Sequence, residues 1–297
     1  MREVAVVTTG FFDGVHLGHR HVLETVVSSA RERGEEAIVV TLWPHPRTVL
    51  QQDARDFRLL TSVEEKKQLL KQLGIDRVEV IPFTKEFARL KADEYLRFLR
   101  KSFGATMVVM GYDNRIGSDQ LTADACAQLP EFAHRIDFSV LSCAPLPDYA
   151  HGEAVSSTQI RKAIEEGDVE RANKMLGYDY PLHGVVVSGN KLGRTIGFPT
   201  ANMQLYEPLK LLPKDGVYAV EVEIQGQDRN YKGMCNIGVR PTVDGKARTI
   251  ETHILHFDED IYGLPIRIKF KKRIRDEIKF ESLDALRQQL ALDRQKV

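Results

Sequence analysis

The sequence predicts two folds in series: a doubly wound, Rossmann-like parallel α/β sheet over residues 1–180, then an antiparallel β-barrel or sandwich with one closing helix over residues 181–297. Three observations carry this reading. Through residue 176, short apolar runs alternate with amphipathic helical stretches, the rhythm of βαβ units. From His183 onward, strand-like runs follow one another across Gly, Pro or Asp turns with no crossover helix between them. Between the two textures, Gly177-Tyr178-Asp179-Tyr180-Pro181 reads as a connector.

In chain order, Glu3 to Thr8 is a short buried strand, and Arg20 to Arg33 places apolar residues at 22, 23, 26, 27 and 30, one stripe of a helix. Gly34 is its expected C-cap, and Glu36 to Leu42 gives a second buried strand. Strand, helix and strand with short links imply a parallel pair with a right-handed crossover. Thr61 with Glu64 forms a capping-box pattern ahead of an amphipathic segment ending at Gly74. Val78 to Phe83, Ala105 to Met110 and Ile136 to Ser142 are further strands, and Ala92 to Arg100 a helix. A helical pattern from Val155 through Ile164 and a short one from Val169 to Leu176 complete the first half. In the second, the expected strands are His183 to Ser188, Gly216 to Ile224, Tyr231 to Ile237, Thr249 to Phe257 and Ile266 to Ile274, and the closing helix is Ser282 to Leu292.

The chemistry of the first half collects at strand ends. Gly10-Phe11-Phe12-Asp13-Gly14-Val15-His16-Leu17-Gly18-His19 occupies the first strand-to-helix turn. Such a turn opens at the carboxyl edge of a parallel sheet, where helix-start N–H groups favour anions. His16 and His19, three apart, share one face of the first turn, and Gly18 between them lets a ligand approach the backbone. Pro44 and Pro46 fix the loop that presents His45 at the same edge. Gly111 and Asp113 open the loop after the fourth strand. Ser156, Ser157 and Thr158 stand at a helix start, where their hydroxyls either cap the helix or donate to phosphate oxygens, with Arg161 a turn further on for a charge-assisted contact.

In the second half the string Gly193-Arg194-Thr195-Ile196-Gly197-Phe198-Pro199-Thr200-Ala201-Asn202 flanks a basic residue with two glycines, so that backbone N–H groups can wrap phosphate. Thr200 and Asn202, two apart on an extended segment, put a hydroxyl and an amide oxygen on one side, donors that a hard Mg²⁺ ion prefers. The P-loop pattern is absent. Glu251 is the only acidic residue of the strand Thr249 to Leu255, and alternation sets it on one face with Thr249 and His253. The basic strand from Lys269 to Arg275 carries Phe270 as its only aromatic, which favours a solvated barrel face over an RNA surface.

Composition narrows the function classes. The 297 residues suffice for two ordinary domains, and the formal net charge of +0 provides no global field for nucleic acid or an anionic membrane. No run reaches the roughly 18 to 20 apolar residues of a membrane span, and no signal peptide precedes the first strand, so the expected location is the cytoplasm. Cys126, Cys143 and Cys235 are far apart and in no Cys-x-x-Cys spacing, and are expected as buried thiols rather than disulfide or zinc ligands.

The first glycine string resembles the His-x-Gly-His signature of the nucleotidyltransferase superfamily, in the Phe-Asp-Gly-Val-His-x-Gly-His form of bacterial bifunctional riboflavin kinase/FAD synthetases. The second resembles the riboflavin kinase signature Gly-Arg-x-x-Gly-x-Pro-Thr-Ala-Asn, and Pro213 with Asp215 to Tyr218, Asn236 to Thr242, Glu251 with His253, Tyr262-Gly263 and Arg273 to Phe280 extend the likeness. The chain departs from the family pattern at Asn114 and Ile116, where aromatic residues are usual, and at Gln120-Leu121-Thr122.

The resemblance implies an FMN adenylyltransferase domain at 1–180 and a β-barrel riboflavin kinase domain at 181–297, using ATP, riboflavin and FMN with Mg²⁺. It implies that Glu251 is the base of the kinase step, that His16, His19 and Arg161 serve adenylyl transfer, and that Thr200 and Asn202 hold the metal. Gly10, Phe12, Asp13, Gly14, Gly18, His45, Gly111, Asp113, Ser156, Ser157 and Thr158 become nucleotide- or flavin-binding residues of the first domain. Gly193, Arg194, Gly197, Pro199, Asn236 and Arg275 become those of the second. The alternatives are a riboflavin kinase with an impaired adenylyltransferase half, given the altered loop, and a flavin-binding module without turnover. Neither a nucleic-acid nor a membrane partner is expected, and the sequence assigns no oligomeric state.

Overall fold

A computed structural model describes residues 4–50, 57–132, 137–144, 155–189, 192–242 and 245–297. Glu3 and Ile136, where the sequence starts two of its strands, lie outside them. Contacts group the chain into two compact units, Met1–Ser157 and Thr158–Val297.

The first unit is a five-stranded parallel sheet of β1 (Ala5–Thr9), β2 (Glu36–Trp43), β3 (Arg77–Pro82), β4 (Ala105–Gly111) and β5 (Ser139–Cys143), ordered β3-β2-β1-β4-β5. The chain winds outward from β1 through β2 and β3, then returns to β4 on the other side. The crevice at the carboxyl ends of β1 and β4 is therefore the topological switch point, where ligands bind in such sheets. β1 is buried on both faces, which is why it reads as a continuous apolar and threonine run. Ala5 and Val7 with Ile38 and Val40 pack against α4 (Ala92–Phe103), whereas Val6 with Ala37 and Val39 packs against α1 (Leu17–Arg33) and α3 (Val63–Gln72). Gly34 caps α1 in the left-handed conformation, φ 65°. Two short helices, α2 (Pro46–Leu50) and α5 (Ala123–Ala127), sit in the connections.

The capping box of α3 falls one residue later than the spacing predicts. Ser62 and Glu65 form it, with Ser62 Oγ accepting from the Glu65 N–H (3.1 Å) and Glu65 Oε2 from the Ser62 N–H (2.7 Å). Thr61 is instead drawn to Asp13, as described below.

The second unit opens with α6 (Ser157–Glu166), whose first residue belongs to the first unit, and α7 (Val169–Leu176). It continues as a closed antiparallel barrel ordered β10-β7-β6-β11-β8-β9, from β6 (Pro181–Val187), β7 (Ala201–Leu205), β8 (Gly216–Ile224), β9 (Tyr231–Thr242), β10 (Gly245–Ile254) and β11 (Pro265–Arg275). A one-turn α8 (Leu192–Thr195) and the closing α9 (Leu283–Arg294) complete it. Closure settles barrel over sandwich and gives each strand of the barrel a neighbour on both sides. It depends on β7, whose residues read from the sequence only as an extended segment: β7 pairs with β6 on one side and β10 on the other.

The sequence boundary at 180/181 and the compact units divide the chain at different points. Asn173 of α7 donates to the Phe270 carbonyl (2.8 Å) and accepts from the Tyr180 N–H (2.8 Å), and the Lys214 N–H donates to Ile164 of α6 (3.1 Å). Ile164, Val169, Ala172 and Leu176 are fully buried. A fragment of residues 158–297 is therefore expected to unfold at a clearly higher temperature than one of residues 181–297, because exposing each large apolar side chain costs roughly 1.5 to 3 kcal/mol. Equal midpoints by circular dichroism would show that the two helices contribute nothing to the barrel.

No helix among the described residues is long and apolar enough to cross a membrane. Cys126, Cys143 and Cys235 are buried free thiols. Burial, with Asp119 nearby, pushes Cys126 up to about 11, and burial with Glu251 pushes Cys235 up to about 12 despite the opposing influence of the Thr252 hydroxyl.

Candidate active sites

In the first unit, the turn after β1 departs from ordinary backbone geometry. Phe12 (φ 51°), Gly14 (φ 82°) and Val15 (φ 39°) are all left-handed, which is costly for a bulky or β-branched residue. Such strain persists only where the surroundings over-determine it. Here they do. Asp13 turns its carboxylate inward, accepting from the N–H groups of Leu60 (3.0 Å) and Thr61 (3.0 Å) and from the Thr61 hydroxyl (3.2 Å). Thr61 Oγ1 in turn accepts from the Gly14 N–H (3.0 Å). The Phe11 carbonyl accepts from Thr41 Oγ1 (3.2 Å) and Lys66 Nζ, the Asp13 carbonyl from Ser157 Oγ (3.0 Å), and the Val15 carbonyl from Arg20 Nε (3.4 Å).

The two histidines follow directly. His16 is the N-cap of α1 rather than part of its first turn, and its Nδ1 accepts from the His19 N–H (3.3 Å). The rings stack with centroids 3.6 Å apart, so they do share one face. His16 is buried and His19 half-buried. Burial first, then the neighbouring His16 and the Lys66 ammonium, hold His19 well below the usual imidazole range. His19 Nδ1 is buried with no hydrogen-bond partner among the described residues. The space beside Gly18 is occupied by the chain itself: a Cβ there would lie 3.2 Å from both the His16 ring and the Val155 carbonyl. Gly18 thus allows the segment before α6 to meet the start of α1.

His45 follows a cis Trp43–Pro44 peptide, and its ring lies between Phe11 (4.0 Å) and Phe57 (4.2 Å) while Nδ1 accepts from the Arg47 N–H (3.0 Å). Gly111 and the exposed Asp113 stand at the end of β4, next to β1 in the sheet. Asn114 donates to the Thr9 carbonyl (2.8 Å) and buried Ile116 bridges to Leu121. The loop is fixed on α4 by Gly117, where a Cβ would collide with the Ala92 nitrogen. Between these elements lies a largely apolar pocket of about 260 Å³ lined by Leu42, Phe83, Phe87, Tyr95, Asn114 and Ile116 among others, with Thr9 and Gly10 at one wall. Sequence reasoning missed its apolar lining, since such residues read as core. It also missed Lys66. Ser156 and Ser157 belong to this unit, whereas Thr158 and Arg161 fall in the second.

In the second unit, the turn from Gly193 closes on itself: the N–H groups of Ile196 (3.2 Å) and Phe198 (2.8 Å) donate to the Gly193 carbonyl, and Gly197 (3.4 Å) to Arg194. Those amides are engaged within the turn. Gly193 must be glycine because a Cβ would meet the Phe198 carbonyl, and Gly197 takes φ 81°. The register of β10 then sets Glu251 opposite Asn202 of β7 and opposite Asn236 of β9. Ile250, Thr252 and Ile254 fill the barrel interior while Thr249, Glu251 and His253 lie on the other face, and the Thr249 hydroxyl donates to Glu251 Oε1 (3.2 Å).

Two pockets flank Thr200. One, of about 240 Å³, brings together Gly193, Asn236, Glu251, His253, Arg275 and Glu277 with the apolar Phe198, Met234, Phe280 and Leu290. The other, of about 340 Å³, is lined by Arg194, Pro199, Phe257, Tyr262 and the acidic run Asp258 to Asp260. Thr200 lines both. Arg275 is fixed by buried Asp293 of α9 (2.8 Å), and His253 Nδ1 meets the Pro199 carbonyl (2.8 Å). Burial lowers the His253 pKa, so the neutral ring donates that bond. Among the described residues no cluster of His, Cys, Asp and Glu is built to hold a metal. The oxygen donors of Thr200 and Asn202 beside Glu251 suit a hard divalent cation that completes its shell with phosphate.

A parallel sheet with a histidine pair at its switch point, joined to a closed barrel with a carboxylate-lined pocket, defines a two-module transferase. Residues 1–159 match the FAD synthetase family and residues 176–297 the riboflavin kinase family. A bifunctional riboflavin kinase/FMN adenylyltransferase of Listeria monocytogenes is 37% identical over 98% of this chain and 90% of its own length, and one of Bacillus subtilis is 36% identical over 98% and 91%. A crystal structure from Streptococcus pneumoniae, described as a macrolide-efflux protein, superposes with a TM-score of 0.90 at 36% identity, covering 99% of this chain and 94% of that one. The chain belongs to the bifunctional riboflavin kinase/FMN adenylyltransferase family.

Proposed function

We propose that the barrel unit phosphorylates riboflavin to FMN and that the sheet unit transfers the adenylyl group of ATP to FMN, giving FAD and pyrophosphate. The observation that supports this most is that each half carries its own constellation while relatives of the same double description align with nearly the whole chain. In the kinase step a ribityl hydroxyl attacks the γ-phosphate. An alcohol is about as weak an acid as water, so the step benefits from a base. Glu251 takes that role, with riboflavin in the pocket of Phe198, Met234 and Phe280 and ATP on the Arg194 and Tyr262 side. Thr200, common to both pockets, stands where the phosphate crosses. Thr200 and Asn202 would hold Mg²⁺, which when bound neutralises charge on the transferred phosphate.

Adenylyl transfer needs no base, because the FMN phosphate is already anionic at neutral pH. The unit must position two anions and stabilise the departing pyrophosphate, a task for His16, His19 and Ser157. The apolar pocket of Phe83, Phe87 and Tyr95 has the size and character for a flat ring system. Pure protein given FMN, ATP and Mg²⁺ should produce FAD and pyrophosphate, resolved by chromatography. Phosphorylation of riboflavin with no FAD from supplied FMN would leave a kinase alone and implicate the loop of Asn114 and Ile116. Flavin binding without either product would leave a binding module.

A further inference from the structure

Lys66 is a buried lysine, on a helix whose Glu64-Glu65-Lys66-Lys67 sequence reads as a solvated charged stretch. Its neighbour Lys67 does behave so, pairing with Glu64 at the surface (2.9 Å). Lys66 instead runs under the turn that follows β1. Its ammonium donates to the Phe11 carbonyl and to Thr41 Oγ1 (3.3 Å) and lies 3.7 Å from the centroid of the Phe11 ring. A buried cation is expensive unless its donors are satisfied and a counter-charge is near. Here two of the three N–H donors meet oxygen acceptors and the Phe11 ring faces the ammonium, while the Asp13 carboxylate supplies the counter-charge, whose field favours the charged form.

What this cation touches is the strained part of the site. Phe11 immediately precedes the left-handed Phe12, and the Phe11 ring borders His45. The same ammonium acts electrostatically on His19, opposing its protonation. Lys66 thus ties β2 to the turn and acts on His19 through its charge.

We propose that Lys66 is a positioning residue for adenylyl transfer: its buried ammonium fixes the Phe11 carbonyl, and through it the turn that carries His16 and His19. This rests on the reading of the first unit as the adenylyltransferase. Displacement of reacting groups by about 1 Å can cost 10²-fold in rate, which sets the expected effect.

The test uses the full chain. Lys66→Met, which keeps length but removes the charge, should lower kcat for FAD formation about 10²-fold, with KM for FMN changed much less and riboflavin phosphorylation unaltered. Lys66→Arg should retain more of kcat than Lys66→Met. The NMR titration of the His19 ring should move upward in Lys66→Met and stay near wild type in Lys66→Arg. That titration needs no turnover, so it separates failure of this proposal from failure of the functional reading. Should Lys66→Met not fold, the wild-type pH profile decides. Burial pushes Lys66 down to about 8 against the support of Asp13, and His19, the other titratable group that senses it, is already neutral there. FAD formation by wild type should therefore fall as pH rises through about 8. Wild-type kcat in Lys66→Met, an unmoved His19 titration, or a profile flat to high pH would each overturn the proposal.

Discussion

Glu251→Gln is expected to reduce riboflavin phosphorylation by about 10² to 10⁴, the usual worth of general-base catalysis, while leaving adenylylation of supplied FMN unchanged. The substitution keeps size and hydrogen-bonding capacity, so the Thr249 hydroxyl retains an oxygen to donate to. The half-buried position and the register opposite Asn202 and Asn236 leave the barrel core untouched. Flavin binding, followed by fluorescence, should therefore stay near wild type. A second carboxylate in the same pocket supplies the internal control. Glu277 Oε1 accepts from Asn236 (3.4 Å), and its exposed carboxylate lies over Gly238 in the wall of the pocket. Glu277→Gln should affect KM more than kcat. Phosphorylation by Glu251→Gln within a few-fold of wild type would remove Glu251 from the chemistry, and a larger kcat loss in Glu277→Gln would transfer the role.

His19→Ala should lower FAD formation by about 10² to 10³, the scale for losing one preorganised donor to developing charge, with FMN formation unaffected. Two observations support an effect on activity rather than on folding. The buried Nδ1 lacks a partner among the described residues, and a buried polar atom left so costs about 1 to 3 kcal/mol, so the native fold gains little from keeping it. The backbone N–H of residue 19, which His16 Nδ1 caps, survives the substitution. The melting temperature should thus change little. Equal loss of both activities, or a large drop in melting temperature, would make His19 a structural residue.

How much of this was legible in the sequence follows from whether the signal was local. The face of Glu251 is local: strict alternation from Thr249 to Ile254 places it, and the barrel reproduces that alternation residue by residue. The paired histidines are local too, although their N-cap role is not, because the helix begins only where the Asp13 turn ends. At Thr61 and Ser62 the sequence offers two overlapping capping boxes, each with a glutamate three residues on. The Asp13 carboxylate, 48 residues away, claims Thr61 and leaves Ser62 as the cap. Lys66 was hidden for the same reason: nothing in a Glu-Glu-Lys-Lys run distinguishes the lysine that a distant carbonyl will bury. β7 was missed as a strand because Pro199 and a short span mask its pairing, and only barrel closure supplies the partners on both sides.

The central claim is that one chain performs two phosphate transfers of different chemistry. It is tested most directly by following label from ATP into flavin. With riboflavin and γ-labelled ATP, label should enter FMN and be carried into FAD. With α-labelled ATP, FMN should remain unlabelled while FAD acquires label. FMN without γ-label, or FAD that forms without α-label, would contradict the account.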